Sequence, residues 1–283
     1  MSAERLGWLV PSDPSAPLEE LRSRYARDGY LWLRGLLDAD EVWRFRRRFF
    51  SAMEGMGLLA AGSKGPDGVW SGGEHDRRRV GQQLIETVRW AAYEAFCLSR
   101  PVTDFYDALF DAPCYLHKRK LLRMGLPEDP HCTGAHYDLV YLRAGTDHLC
   151  TSWIPIGDAS VEMGGLLYLE GSDAFGRELE ARYARESGHL TPEERIQAVN
   201  ATMTGGWLTR DLRALADRMN ARWLVADYAA GDMVVHSPFM IHASTQNVDA
   251  HRRIRLSTDI RYQSVRDRMD PRWQRDWSPD DGL

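Results

Sequence analysis

His136-Tyr137-Asp138 is the stretch whose reading decides the fold. An imidazole and a carboxylate stand two residues apart. On a β-strand successive side chains alternate faces, so residues i and i+2 point the same way. The spacing predicts that His136 and Asp138 grip one metal from one strand end. A second imidazole, His242, lies far downstream, after the run Gly231-Asp232-Met233-Val234-Val235-His236. Two histidines and one carboxylate on one face of an octahedron leave three positions open, the ligand set of non-haem Fe(II) oxygenases. Such a set holds Fe(II) without saturating it and leaves room for a bidentate co-substrate and then O2.

A lone His-x-Asp is more often a loop histidine beside a turn-forming aspartate than a metal site. The residues after His242 change that weighting. In Arg253-Ile254-Arg255-Leu256-Ser257-Thr258-Asp259-Ile260-Arg261 the apolar Ile254, Leu256 and Ile260 fall at mostly alternating positions, which predicts a strand. Arg255 and Ser257 then share the opposite face. A guanidinium fork matches a carboxylate through two parallel N–H bonds, and a neighbouring hydroxyl adds a third donor. The pair suits the distal carboxylate of a diacid such as 2-oxoglutarate. Arg253, Arg255, Ser257 and Asp259 cannot together face an apolar core unless something neutralises them. They therefore predict a polar pocket.

With these residues in view, the chain resembles the phytanoyl-CoA dioxygenase family of Fe(II)/2-oxoglutarate-dependent oxygenases. The resemblance begins at Asp28-Gly29-Tyr30-Leu31-Trp32-Leu33-Arg34-Gly35-Leu36-Leu37 and continues through Gly134-Ala135-His136-Tyr137-Asp138. It then takes in Thr151-Ser152-Trp153-Ile154-Pro155, Gly164-Gly165-Leu166-Leu167-Tyr168-Leu169-Glu170-Gly171-Ser172, the His242 segment and Arg255-Leu256-Ser257. It implies His136, Asp138 and His242 as iron ligands, and Arg255, Ser257 and Thr151 as contacts to 2-oxoglutarate, with O2 as the other co-substrate. His236 is a nearby rival to His242, but His242 carries the family's H-x-S-x-x-N context. The Asn247–Arg253 loop is slightly long for the family, so Arg253, on the same face as Arg255, is the alternative clamp. Related halogenases lack the acidic ligand, so Asp138 implies hydroxylation or another oxidation rather than halogenation.

The chain has 283 residues, 43% of them hydrophobic, enough to bury a full core. Its formal net charge of −5 argues against a nucleic-acid binder. No apolar run approaches a membrane span, and the N-terminus lacks a signal-peptide pattern. Cys97, Cys114, Cys132 and Cys150 have no metal-type spacing and read as free thiols in a reducing cytoplasm. Gly164-Gly165 and Gly171-Ser172 lack the Lys-Ser/Thr of a phosphate loop and read as tight turns.

Helices come first, then many short strands with one helical interruption. That order predicts a mainly β protein with flanking helices, built on a double-stranded β-helix (a cupin-like jelly roll). We expect a single domain over residues 1–283. An N-terminal helical buttress spans about 1–112, and a jelly-roll core about 113–265 carries a helical insertion at about 173–222. Residues 1–16 are expected to wrap the surface, and 61–78 to form a loop or lid. The substrate is expected to be a small molecule of specialised metabolism. Aromatic and apolar residues in expected lid regions (Trp70, Trp207, Trp223, Phe239, Met240) point to an aromatic or polycyclic one. Two other readings remain open: a cupin-type metalloenzyme that does not use 2-oxoglutarate, and a catalytically silent jelly roll that binds a ligand.

Overall fold

The computed structural model describes residues 3–63, 66–191, 194 and 207–278. Its centre is a pair of facing sheets. One has four strands in the order β1 (Leu6–Trp8), β8 (Trp223–Val225), β7 (Leu166–Leu169), β10 (His242–Ser244). The other has seven. Its path runs β2 (Pro11–Ser12), β3 (Tyr30–Leu33), β9 (Met233–His236), β6 (Leu149–Pro155), β11 (Arg255–Ser264), β4 (Cys114–Leu116), with β5 (Leu121–Gly125) also pairing with β11. Among the described residues the sheets do not close into a continuous barrel.

Period-2 alternation explains the layers. On β11, Leu256, Ile260 and Tyr262 belong to one apolar cluster, together with Leu31 and Leu33 of β3, Val235 of β9 and Ile154 of β6. That cluster is filled from outside by α2 (Ala39–Ala52), through Val42, Phe45 and Phe49, by α4 (Ala91–Cys97), through Tyr93 and Phe96, and by α5 (Arg100–Phe110), through Val102 and Tyr106. The outer face of the smaller sheet, through Leu167, Leu169 and Ala243, packs with Leu139 and Leu142 of α6 (Leu139–Leu142). It also packs with Leu179 of α7 (Ser172–Glu186) and Leu215 of α8 (Leu212–Met219). Between the sheets, Trp32, Trp153, Leu166, Tyr168, Tyr228 and Val234 form a third cluster. The alternate residues of β11, which are Arg255, Ser257, Asp259 and Arg261, turn to this inner side and are all buried. The functional side chains therefore sit between the sheets, with each sheet's outer face sealed by helices.

Local signals set several boundaries. α1 (Leu18–Asp28) ends at Gly29, whose φ of 75° suits a residue without Cβ, and the Gly29 amide donates to the Tyr25 carbonyl. Asp38 caps α2 by accepting from the Asp40 amide, and Asp76 caps α3 (Arg77–Thr87) through the Arg79 amide.

Three expectations need amendment. Residues before Pro17 do not merely wrap the surface: Leu6–Trp8 pairs parallel with Trp223–Val225, and Pro11–Ser12 pairs with β3. The apolar run Phe239-Met240-Ile241 predicts a strand over 239–242, but the strand begins only at His242, because Ser237-Pro238 breaks the chain into a turn in which the Met240 amide donates to the Ser237 carbonyl. The 66–78 part of the expected loop or lid is stapled to the lead-in of β11, with the Trp70 amide on the Arg252 carbonyl and the Ile254 amide on the Gly68 carbonyl. The middle of the expected helical insertion, 192–193 and 195–206, lies outside the described residues.

Candidate metal centre

His136 and His242 face one another across a two-residue bridge. The His136 amide donates to the His242 carbonyl at 3.0 Å, and the His242 amide returns the bond at 2.8 Å. This pairing brings residues 106 positions apart in the chain to a ring-centroid separation of 4.2 Å. The His-x-Asp geometry differs from the strand expected. Only His136 is extended; Asp138 has helical dihedrals (φ −67°, ψ −29°) and stands at the N-terminal edge of α6 with no side-chain capping bond. The pairing stops at His136, and beyond it the Leu139 amide donates to the Pro238 carbonyl. The two side chains converge nonetheless, with His136 Nε2 4.0 Å and His242 Nε2 3.8 Å from Asp138 Oδ1. One donor atom from each of the three lies within 4.8 Å of the others.

The surroundings fix which atoms are free to ligate. His136 Nδ1 lies 2.9 Å from the Gly134 carbonyl and His242 Nδ1 2.9 Å from the Met240 carbonyl. A carbonyl only accepts, so Nδ1 carries the proton in both rings and each Nε2 keeps its lone pair. On Asp138, Oδ2 accepts from the Thr151 hydroxyl and lies 3.4 Å from His236 Nε2. Oδ1 is thereby turned to the two histidines. His236 is held at its other nitrogen by the Tyr168 hydroxyl, 2.7 Å away. It stands behind the carboxylate rather than in the ligand triangle.

Burial sets the protonation states. It depresses the His242 imidazole well below its ordinary value, helped by repulsion from His136 and His236. It depresses His136 too, against the opposing pull of Asp138. For Asp138 burial acts upward, but Arg261, His236 and His242 outweigh it and hold the carboxyl well below the usual carboxylate range. Two neutral imidazoles and one carboxylate are the ionisation states a divalent ion requires of its ligands. The donor set fits Fe(II), for which imidazole nitrogen and carboxylate oxygen are both suitable.

The cavity beside these atoms is lined by Thr151, Trp153, Leu166, Arg255, Asp259 and Arg261, among others. Arg255 donates from Nη1 to Ser257 Oγ at 2.8 Å, and its Nε has no partner. Burial, with Arg123 nearby, brings its guanidinium down to about 10, against the opposing effect of Asp259. Arg253, the alternative clamp, is engaged elsewhere: it pairs with Asp249 at 2.7 Å and is part-exposed. Thr151 lines the cavity as expected, but its hydroxyl hydrogen goes to Asp138. Sequence reasoning passed over Arg261, whose Nη2 is 3.1 Å from Asp138 Oδ1. Its signal was present, since Arg261 continues the Arg255, Ser257, Asp259 alternation. It also passed over Glu180 on α7, which accepts from the Tyr137 hydroxyl and from Arg143 and so ties the helical insertion to the His-x-Asp segment. Nothing in the local pattern marks Glu180.

Residues 25–254 match the phytanoyl-CoA dioxygenase (PhyH) family. No curated protein sequence matches the chain. Several solved structures share its fold. The epimerase SnoN, solved with Fe3+, alpha-ketoglutarate and nogalamycin RO, superposes with a TM-score of 0.58 at 20% identity, covering 92% of this chain and 88% of that one. The alpha-ketoglutarate-dependent carbocyclase SnoK from nogalamycin biosynthesis gives 0.58 at 18% identity, covering 93% and 90%. EctD from S. alaskensis with bound Fe gives 0.58 at 14% identity, covering 96% and 87%. At these identities the likeness is one of fold.

Proposed function

The chain belongs to the phytanoyl-CoA dioxygenase family, and from that premise we propose that His136, Asp138 and His242 hold the iron of this Fe(II)/2-oxoglutarate-dependent oxygenase. The observation that carries the assignment is the convergence of two proton-free Nε2 atoms on Asp138 Oδ1, with every other polar atom of the three side chains tied back. When bound, the iron and 2-oxoglutarate supply O2-dependent oxidation of an unactivated C–H bond, coupled to conversion of 2-oxoglutarate into succinate and CO2.

The chain's own residues do the rest. Arg255 and Ser257 offer a guanidinium fork and a hydroxyl to the distal carboxylate of 2-oxoglutarate, and the unpartnered Arg255 Nε supports that role. Thr151 and His236 orient Asp138 so that one oxygen ligates. Thr151 also lines the cavity and stands as a candidate contact to 2-oxoglutarate. Trp153 and Leu166 give the otherwise polar cavity an apolar wall and limit water there.

The reaction we propose is hydroxylation of a small molecule, within specialised metabolism, by a single-domain enzyme working in the cytoplasm. The single domain is supported by N-terminal strands that join both sheets, and the reducing compartment by four free thiols. The test is anaerobic addition of Fe(II) and then 2-oxoglutarate. A weak visible charge-transfer band is expected in the native protein and not in His242→Ala. Absence of the band from the native protein overturns the proposal.

A further inference from the structure

Arg261 is the cavity residue that the proposed function leaves unused. Its side chain is 5% exposed, and it lines the same space as His136, His242 and Arg255. Its Nη2 touches Asp138 Oδ1, but Nε and Nη1 have no hydrogen-bond partner. Its guanidinium stacks 4.9 Å from the centre of the Trp273 ring, and the Arg119 guanidinium lies 5.4 Å from the same ring. A buried guanidinium gives up its water and recovers the loss only through acceptors.

The acceptors nearby have other work. Asp259 takes Arg123. Asp138 Oδ1 is the oxygen turned to the two histidines, so a dication bound there competes with Arg261 for it. A divalent ion and a dicarboxylate cancel each other's charge, so binding both leaves the excess of arginine in the cavity as it was. The partner that Arg261 lacks is an anion offering acceptor oxygens. Trp153 and Leu166 line the same space with apolar surface.

We propose that the substrate to be oxidised is a small organic acid with an apolar body, held through its carboxylate by Arg261. This deepens the proposed function and rests on it. The competing source of a carboxylate is the 2-oxo acid end of 2-oxoglutarate itself, and the test separates the two.

Co(II)-loaded protein is saturated with N-oxalylglycine, a redox-inert 2-oxoglutarate analogue, so that the co-substrate's contacts are filled. It is then titrated with carbon-13-labelled acetate or acetamide, and paramagnetic broadening of the label is measured. Saturable broadening of acetate but not acetamide is expected. Arg261→Met should weaken acetate about tenfold or more, and Arg261→Lys should restore part of the loss. Affinity for N-oxalylglycine should be little changed in either variant. Equal broadening of acetamide and acetate overturns the inference without recourse to any variant. So does acetate affinity unaltered in Arg261→Met, or a comparable loss of N-oxalylglycine affinity, which would assign Arg261 to the co-substrate. Failure of the metal reading looks different: the Co(II) spectrum would be indifferent to N-oxalylglycine and to His242→Ala. In that event saturation-transfer measurements on metal-free protein still compare acetate with acetamide, and equal signals overturn the acid site.

Discussion

Replacing Thr151 with Val removes one hydroxyl from between the sheets and keeps the outline of the side chain. In the native protein that hydroxyl donates to Asp138 Oδ2. In the variant Oδ2 keeps only His236, at 3.4 Å, too distant for a strong bond. A buried hydrogen bond to a charged group contributes about 1.5–3 kcal/mol. Partners that orient a ligating side chain typically change metal affinity by about 10- to 100-fold, or about 1.4–2.8 kcal/mol. The two routes agree, so the dissociation constant for Co(II) or Zn(II) should rise by about 10- to 100-fold. Competition against a chromophoric chelator measures it, and a parallel titration with 2-oxoglutarate measures the co-substrate. Unchanged metal affinity with weakened 2-oxoglutarate binding would refute the reasoning. It would mean that the hydroxyl leaves Asp138 in the loaded enzyme and serves the co-substrate, the role the family resemblance implies.

Arg255→Gln should weaken 2-oxoglutarate by about 30-fold or more, the cost of truncating a buried charged clamp, and leave Co(II) affinity as it is; a titration of the visible spectrum reads both. Because burial depresses His136 and His242 below the ordinary imidazole value, both are neutral near pH 7, and metal binding there should release almost no proton from them. Calorimetry in buffers of different ionisation enthalpy checks this, and release of about one proton at pH 6.5 would contradict it. The same depression has a sign for stability. The unfolded chain binds protons that the native imidazoles refuse, so the metal-free protein should lose stability as pH falls below about 6.5, and urea midpoints across that range would follow it. Glu180→Ala strips Arg143 and the Tyr137 hydroxyl of their shared acceptor and should cost about 3 kcal/mol, read as a lower urea midpoint with an unchanged slope.

The fold was legible wherever a short-range rule acts alone. The alternation of Ile254, Leu256 and Ile260 marked β11, and the helical spacing of Val42, Phe45 and Phe49 and the glycine at position 29 are the local signals behind α2 and the end of α1. What escaped depends on pairing between distant segments. Leu6–Trp8 becomes a strand only because Trp223–Val225 offers it an edge, and three residues carry no period of their own. The displaced start of β10 escaped because Phe239-Met240-Ile241 reads as strand, whereas the turn opened by Ser237-Pro238 runs on into it.

The site follows the same division, with one instructive exception. The identities of His136, Asp138 and His242 were legible, yet the backbone reason given for their convergence was half right. Asp138 does not share a strand face with His136. It turns into α6, with Thr151 and His236 placing its carboxylate from Oδ2 while Arg261 reaches the Oδ1 that faces the histidines. The His-x-Asp spacing therefore brings the two groups to one centre by a strand end followed by a helix start. That arrangement needs more supporting side chains than a strand would. Those chains come from β6, β9 and β11, adjacent in the larger sheet, where Thr151 is registered opposite both His236 and Arg261. A cross-strand register of that kind cannot be read from residues separated by 85 and 110 positions in the chain. It implies that Thr151 and His236, which meet at Oδ2, act on Asp138 as a unit, so the paired substitution of the two should depart from additivity in its effect on metal affinity.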